Sequence, residues 1–114
     1  MGINKLKAEK IITINDKEYT ARLSLDTIIR IENTLGYGVL KLAQRLSVME
    51  ITMTDLINVM TLCIRAGGND IKEKVVKDYM VEVGLMESIR VVTELLTIAL
   101  NVEDETEEKK TQTE

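Results

Sequence analysis

The spacing of apolar residues changes near residue 24 of this chain. Over residues 9–14 and 17–23, apolar and polar positions alternate, which is the period of a β-strand with one buried face. Asn15-Asp16 separates the two segments, and both residue types tolerate the left-handed backbone of a tight turn. From residue 24 onward the apolar positions recur every three or four residues, as along one face of a helix. The pattern therefore predicts an N-terminal β-hairpin followed by helices.

The first predicted helix carries signals at both ends. Ser24 can accept a backbone N–H as an N-cap, and Asp26 suits the positive end of the helix dipole. Gly36 can adopt the left-handed conformation that ends a helix. Between these signals lies an apolar stripe, which consists of Leu25, Ile28, Ile31 and Leu35.

Two further helices follow the glycines at positions 36 and 38. Residues 39–46 have the apolar spacing of a short amphipathic helix. Thr52 with Asp55 three residues later is typical of a helix N-terminus. The segment after Thr52 is apolar on nearly all sides, so we expect a central, buried helix there.

Glycines also divide the rest of the chain. Gly67-Gly68 ends the central helix, and Gly84 ends the helix after it. Asp70 and Glu73 resemble a capping pair at the start of that helix. A last helix begins near Leu85; its middle is rich in β-branched residues, but its period and its length favour a helix over a strand.

These elements predict one α+β domain, mostly α, because 114 residues suffice for a single core. It has an N-terminal β-hairpin followed by a compact bundle of about five helices. We expect residues 1–8 to be a flexible lead-in and residues 9–102 to form the globular body. Residues 103–114 have no apolar group to bury, so we expect a disordered acidic C-terminal tail.

The charge of the chain is concentrated in that tail. The net charge is −4, and residues 103–114 contain six acidic and two basic residues. Residues 1–102 carry 13 of each sign, so the folded body is close to neutral. A binder of duplex DNA or of a membrane surface would show an excess of basic residues. We therefore expect no nucleic acid and no membrane among the partners.

The chain offers little reactive chemistry. It has no histidine, which is the commonest general base and zinc ligand. Its one cysteine, Cys63, stands between Leu62 and Ile64, so we interpret it as a small buried hydrophobe. Gly67-Gly68-Asn69-Asp70 precedes a helix but lacks the Lys-Ser/Thr of a phosphate-binding loop. We therefore expect no catalytic residue, no cofactor and no metal ion, and we expect that the protein is not an enzyme.

Methionine is the remaining residue type of interest, because Met-rich surfaces bind varied partners. Met60 and Met80 fall on inward stripes and are expected to fill the core. Met49, Met53 and Met86 lie near helix edges, and these three are the candidate partner-binding residues.

Taken in order, these segments resemble a known family, the gene-transfer-agent and phage tail proteins that are sometimes labelled "tail tube protein" and are understood as tail assembly chaperones. The likeness covers roughly residues 9–100 and depends on the ordered set rather than on one motif. The segments are Lys17-Glu18-Tyr19-Thr20-Ala21-Arg22-Leu23, Leu25-Asp26, Ile31-Glu32-Asn33-Thr34-Leu35-Gly36, Thr52-Met53-Thr54-Asp55-Leu56, Ala66-Gly67-Gly68, Val83-Gly84 and Val92-Thr93-Glu94-Leu95-Leu96.

The resemblance implies a non-catalytic protein of the host bacterial cytoplasm. Such a chaperone coats the long helical tape measure protein, keeps it soluble and helps recruit tail tube subunits. The tape measure protein and the tail tube protein are thus the expected partners, and homo-oligomerisation is left open. No functional residue is carried over from the family.

Two other functions remain open from the sequence. A structural subunit of the tail is one, although it would need more β-structure than a hairpin to build a tube. A small helical regulator of the helix-turn-helix kind is the other. Its outer face would mix Lys72, Lys74 and Lys77 with Glu73, Asp78 and Glu82, which suits DNA poorly.

Overall fold

The structure is a computed structural model that describes residues 8–113, with side chains as far as Leu100. The chain begins with a hairpin and continues with five helices, so the predicted α+β class and its order of elements are confirmed. The strands are β1 (Ala8–Ile14) and β2 (Lys17–Leu23), and the helices are α1 (Leu25–Leu35), α2 (Val39–Ser47), α3 (Met53–Ala66), α4 (Glu73–Val83) and α5 (Leu85–Thr113).

The hairpin forms as the alternation predicts. The two strands are antiparallel, with Ile14 opposite Lys17. The turn between them has Asn15 at φ 53° and Asp16 at φ 63°, so both central residues are left-handed, as the twist of a two-residue hairpin favours. One face of the hairpin is buried, and its inward residues are Ala8, Ile12, Ile14, Ala21 and Leu23.

Helix α3 is the centre of the molecule, as its apolar composition predicts. It packs against β2, α1, α4 and α5. Its buried residues lie on more than one side of the helix, and they are Leu56, Val59, Met60, Thr61, Cys63 and Ile64. Helix α5 is the second organising element, because it packs against both strands and against α2, α3 and α4.

The loop after α3 lies directly on strand β2. A Cβ atom added to Gly67 would stand 1.8 Å from the carbonyl oxygen of Thr20, so only glycine fits. Asn69 fixes the same approach, since its Nδ2 donates to the carbonyl oxygens of Thr20 at 2.9 Å and of Ile64 at 3.0 Å. This close approach joins the hairpin to the end of the central helix.

Three of the predicted caps are confirmed. Ser24 accepts the backbone N–H of Thr27, and Gly36 ends α1 at φ 86°. Thr52 accepts the backbone N–H of Asp55 at 3.0 Å. The stripe of α1 differs in one member, because Leu25 is 70% exposed.

The predicted capping pair at Asp70 and Glu73 is wrong. Helix α4 begins at Glu73, its N-cap is Lys72, and no side chain makes a cap hydrogen bond. The reason lies in the preceding loop, where Ile71 is buried and its carbonyl oxygen accepts from Arg65 Nε at 3.0 Å. These contacts hold Asp70 outside the helix.

The backbone of the last helix is helical as far as Thr113. The disorder expected from the composition of residues 103–114 stays a prediction. Glu and Lys have high helix propensity, so a helix can continue without an apolar face. At the other end, Ala8 belongs to β1 rather than to a lead-in; residues 1–7 and 114 lie outside the described part of the chain.

Candidate functional site

The lone thiol is chemically silent. Cys63 is buried in α3, and burial raises the pKa of its thiol to about 12. A protonated, enclosed thiol is neither a nucleophile nor a metal ligand at neutral pH. The interpretation of Cys63 as a small core residue is confirmed by its burial.

Among the residues that the structure describes, no group of three or more Cys, Asp or Glu side chains could hold a metal ion. Within the same part of the chain, no helix is both long enough and apolar enough to cross a bilayer.

An apolar groove runs between α2 and α5. Its volume is about 280 Å³, and we refer to it as the α2–α5 groove. Buried Leu46 and Leu96 lie beneath it, while the short side chains of Ala43, Thr93 and Thr97 leave it open. The remaining residues that line it are Ser47 and Leu100. Two helices supply the groove from positions about fifty residues apart, so neither segment alone predicts it.

Exposed apolar side chains accompany this groove on the same two helices. Leu40, on the first turn of α2, is 73% exposed, and Ile98 on α5 is also exposed. A second exposed group lies where α4 meets α5 and consists of Val81, Leu85 and Met86. Exposed aliphatic groups at neighbouring positions are typical of a surface that another protein covers.

The methionines divide as the sequence predicts. Met60 and Met80 are buried, which confirms that they fill the core. Met49, Met53 and Met86 are 51%, 48% and 62% exposed, so all three are accessible. Contact with a partner stays a prediction for these three residues.

Met49 has an unusual backbone. It follows the end of α2 with φ 61°, the left-handed conformation that glycine usually supplies at this place. The N–H of Met49 donates to the carbonyl oxygen of Leu46 at 3.2 Å, and that of Glu50 donates to Arg45 at 2.8 Å. A long apolar side chain is thus held outward at a position where glycine would be less strained.

Two polar groups that the sequence analysis missed fix α2, one wall of the groove. Glu32 Oε2 accepts the N–H of Val39 at 2.9 Å, so α1 caps the helix that Gly38 cannot cap. Tyr37 donates its hydroxyl proton to Asp55 Oδ2 at 2.8 Å. The guanidinium carbon of Arg45 lies 4.7 Å from the Tyr37 ring centroid, within the range of a cation–π contact.

This polar tie affects the titration of Tyr37. Burial, together with the hydrogen bond to Asp55 and its charge, raises the pKa of Tyr37 from 10.0 to about 12. The sequence contains a weak signal for the arrangement, namely a tyrosine between two glycines before a capped helix. It gives no indication of the partner, because Asp55 lies 18 residues away along the chain.

Comparison with known proteins identifies a family. A family model described as "Phage tail tube protein, GTA-gp10" matches residues 7–102. The matched region includes the hairpin, helices α1 to α4, and α5 as far as residue 102. The search of curated proteins gives no match. The search of solved structures also gives none. Since the matched region spans most of its length, the chain belongs to the phage tail family described as "Phage tail tube protein, GTA-gp10".

Proposed function

We propose that this protein is a phage or prophage tail assembly chaperone that binds the tape measure protein and helps recruit tail tube subunits during tail morphogenesis. Membership of the family gives the chain a phage tail-related role. The finer assignment is our inference, and the observation that carries it is the α2–α5 groove.

The groove suits a helical partner. An amphipathic helix binds a groove through apolar anchors spaced three, four and seven residues apart. The α2–α5 groove has apolar walls, and Leu40 and Ile98 extend apolar surface beyond it. The short Thr93 and Thr97 side chains leave room for anchors that a longer residue would exclude. A helix lying there would cover apolar area on both proteins.

The proposed partner has apolar surface that must be covered. A tape measure protein is a long helical chain, and apolar stripes left bare along such a chain aggregate. A small binder that covers one stretch at a time would keep it soluble until the tube is built around it. We place this activity in the host bacterial cytoplasm, where it would need neither cofactor nor catalysis.

Co-expression tests the proposal. The tape measure protein of the same phage or prophage is produced with and without this chain, and its soluble fraction and its co-purification with this chain are measured. We expect it to be soluble only in the presence of this chain. A tape measure protein that ignores the chain in both measurements contradicts the proposal.

A pair of variants locates the contact. Thr97→Arg fills the groove from an exposed position, and we expect it to abolish co-purification while the fold is retained. Thr13→Arg makes the same change on the exposed face of β1 and serves as the matched control. Equal binding by both variants would remove the groove from the proposal.

A structural subunit of the tail is the second candidate, because the family description itself names a tail tube protein. The two functions differ in where the protein ends up. A structural subunit is present in purified particles in a fixed ratio to other tail proteins, whereas a chaperone is absent from them. Quantitative mass spectrometry of purified particles separates the two.

A further inference from the structure

A second groove, lined by polar residues, runs between α1 and α3. Its larger part is a cleft of about 350 Å³. The cleft continues into a smaller cavity of about 180 Å³, and both are lined by Leu62 and Arg65. We refer to the two together as the α1–α3 groove. Neither the proposed chaperone function nor the family description uses it.

Three arginines line the larger cleft. Arg22 comes from the end of β2, Arg30 from α1 and Arg65 from the end of α3. Arg22 is balanced by Glu9, at 2.6 Å between Nη2 and Oε2. Among the described residues, Arg30 takes part in no ion pair, and Arg65 uses only Nε, on the carbonyl oxygen of Ile71. Unused guanidinium donors thus converge on one open cavity.

Acidic side chains do not neutralise the positive charge of these arginines. Asp26 lines the larger cleft, yet no ion pair joins it to an arginine in the described part of the chain. Glu73 lines the smaller cavity, where Arg65 is the one arginine of the three. The cleft therefore keeps an excess of positive charge at the end where Arg22, Arg30 and Arg65 meet.

An independent observation concerns the smaller cavity. Thr61 lines it and is buried, and over the residues with described side chains its Oγ1 is the one buried side-chain oxygen or nitrogen without a hydrogen-bond partner. A buried hydroxyl left without a partner costs free energy. Thr34 and Asn58 line the same cavity, so a polar ligand would find three hydrogen-bonding side chains there.

We propose that the α1–α3 groove binds the acidic segment 103–114 of a second copy of this chain. Residues 1–102 carry 13 acidic and 13 basic residues, and the net charge of the chain lies in that segment, with six acidic and two basic residues. Guanidinium groups bind carboxylates through paired, charge-assisted hydrogen bonds. The segment is thus the charge complement of the cleft within the same sequence.

The backbone of α5 explains why the segment comes from another copy. It is helical to Thr113, so 13 residues beyond Leu100 extend about 20 Å along the helix axis. A helical segment cannot fold back onto the body from which it emerges. Contacts from the segment of one copy to the groove of the next are head-to-tail, and such contacts build rings or open chains.

Self-association of the full-length chain tests the proposal. Light scattering coupled to size-exclusion chromatography measures molar mass against protein concentration. We expect the mass to rise with concentration and to return to that of the monomer when sodium chloride is raised from about 0.05 to 0.5 M, because salt screens exposed ion pairs. A chain that stays monomeric at every concentration in low salt overturns the proposal.

Two matched variants test the groove. Arg30→Glu reverses an exposed charge in the cleft, and we expect self-association to weaken by about tenfold or more. Lys77→Glu reverses an exposed charge on α4, at a residue that lines neither cavity of the groove. Both residues lie four positions after an acidic one, Asp26 and Glu73, so the local effect on the helix is matched. Equal weakening by both variants overturns the proposal.

A charge exchange tests the pairing itself. Glu107→Lys with Glu108→Lys leaves four acidic and four basic residues and so removes the net charge of the segment, and this double variant is expected to associate as weakly as Arg30→Glu. An equimolar mixture of the two should recover association, since the unchanged acidic segment of Arg30→Glu can then bind the unchanged cleft of the double variant. A mixture that stays monomeric overturns the pairing. None of these measurements involves the tape measure protein, so they stand or fall apart from the proposed function.

Discussion

Gly67 shows how a single hydrogen atom can decide the packing of the hairpin. Its Cα faces the carbonyl oxygen of Thr20, and an added Cβ would stand 1.8 Å from that oxygen. We expect Gly67→Ala to lower the free energy of unfolding by about 3 kcal/mol or more, because backbone rather than a flexible side chain must move. Urea denaturation measures the loss.

Gly38→Ala is the matched control for this change. A Cβ at Gly38 would lie 3.6 Å from Glu32 Oε2, an ordinary contact, and its φ of −77° suits any residue. We expect a cost below about 1 kcal/mol there. Similar losses for the two variants would mean that the approach to Thr20 does not limit stability.

Met49 tests the relation between strain and function at one residue. Its φ of 61° is costly for a side-chain-bearing residue, so we expect Met49→Gly to raise the free energy of unfolding by about 0.5–1 kcal/mol. If Met49 contacts the partner, the same variant binds the tape measure protein more weakly despite being more stable. A variant that gains stability and keeps full binding would remove Met49 from the candidate residues.

At the scale of elements, Tyr37 connects the loop before α2 to α3 through Asp55. We expect Tyr37→Phe to cost about 1 kcal/mol at neutral pH, because a hydrogen bond to a carboxylate is lost. The folded pKa of Tyr37 is about 12 and the ordinary value is 10.0. The phenol therefore stabilises the fold fully below pH 10, and this contribution disappears as pH rises from 10 to about 12.

The difference in unfolding free energy between wild type and Tyr37→Phe isolates the effect of Tyr37 from that of other titrating groups. One such group is Tyr79, because burial also raises the pKa of its phenol. Unfolding free energies of wild type and Tyr37→Phe are compared from pH 8 to about pH 12. We expect the gap to narrow across the upper part of that range. A constant gap would show that Tyr37 titrates normally.

The elements themselves are largely predictable, because their signals are local. Ser24, Gly36 and Thr52 act within one helical turn, and each behaves as its residue type predicts. The start of α4 is different, since Arg65 and the burial of Ile71 decide it from outside the segment. Tertiary contacts thus override a capping pattern that is sound by itself.

The surfaces are harder to predict than the elements, because each is formed by residues far apart in sequence. Leu46 and Leu96 meet beneath the α2–α5 groove, and Arg22 meets Arg65 in the other one. Only the three exposed methionines could be predicted from the spacing of apolar residues, since each lies near a helix edge. The spacing of apolar residues predicts which side of a helix is buried, but it does not predict which element packs against that side.

At the scale of the whole molecule, the first and last elements depend on each other. Helix α5 packs against both strands, and Lys10 Nζ lies 2.6 Å from Glu94 Oε1. The hydrogen bond from Lys10, together with the positive charges of Lys10 and Arg90, holds the pKa of Glu94 below its ordinary value. The hairpin is synthesised first but receives part of its cover from the helix made last.

The order of synthesis therefore determines when the hairpin can be fully packed. A nascent chain arrested after residue 84 lacks α5 and so exposes the part of its hairpin that α5 covers, and a two-stranded sheet alone is marginal in water. We expect such a chain on the ribosome to be cut by protease as fast as an unstructured one, and to become resistant once residue 100 has left the exit tunnel. Resistance before that length would mean that α3 alone suffices to fold the strands.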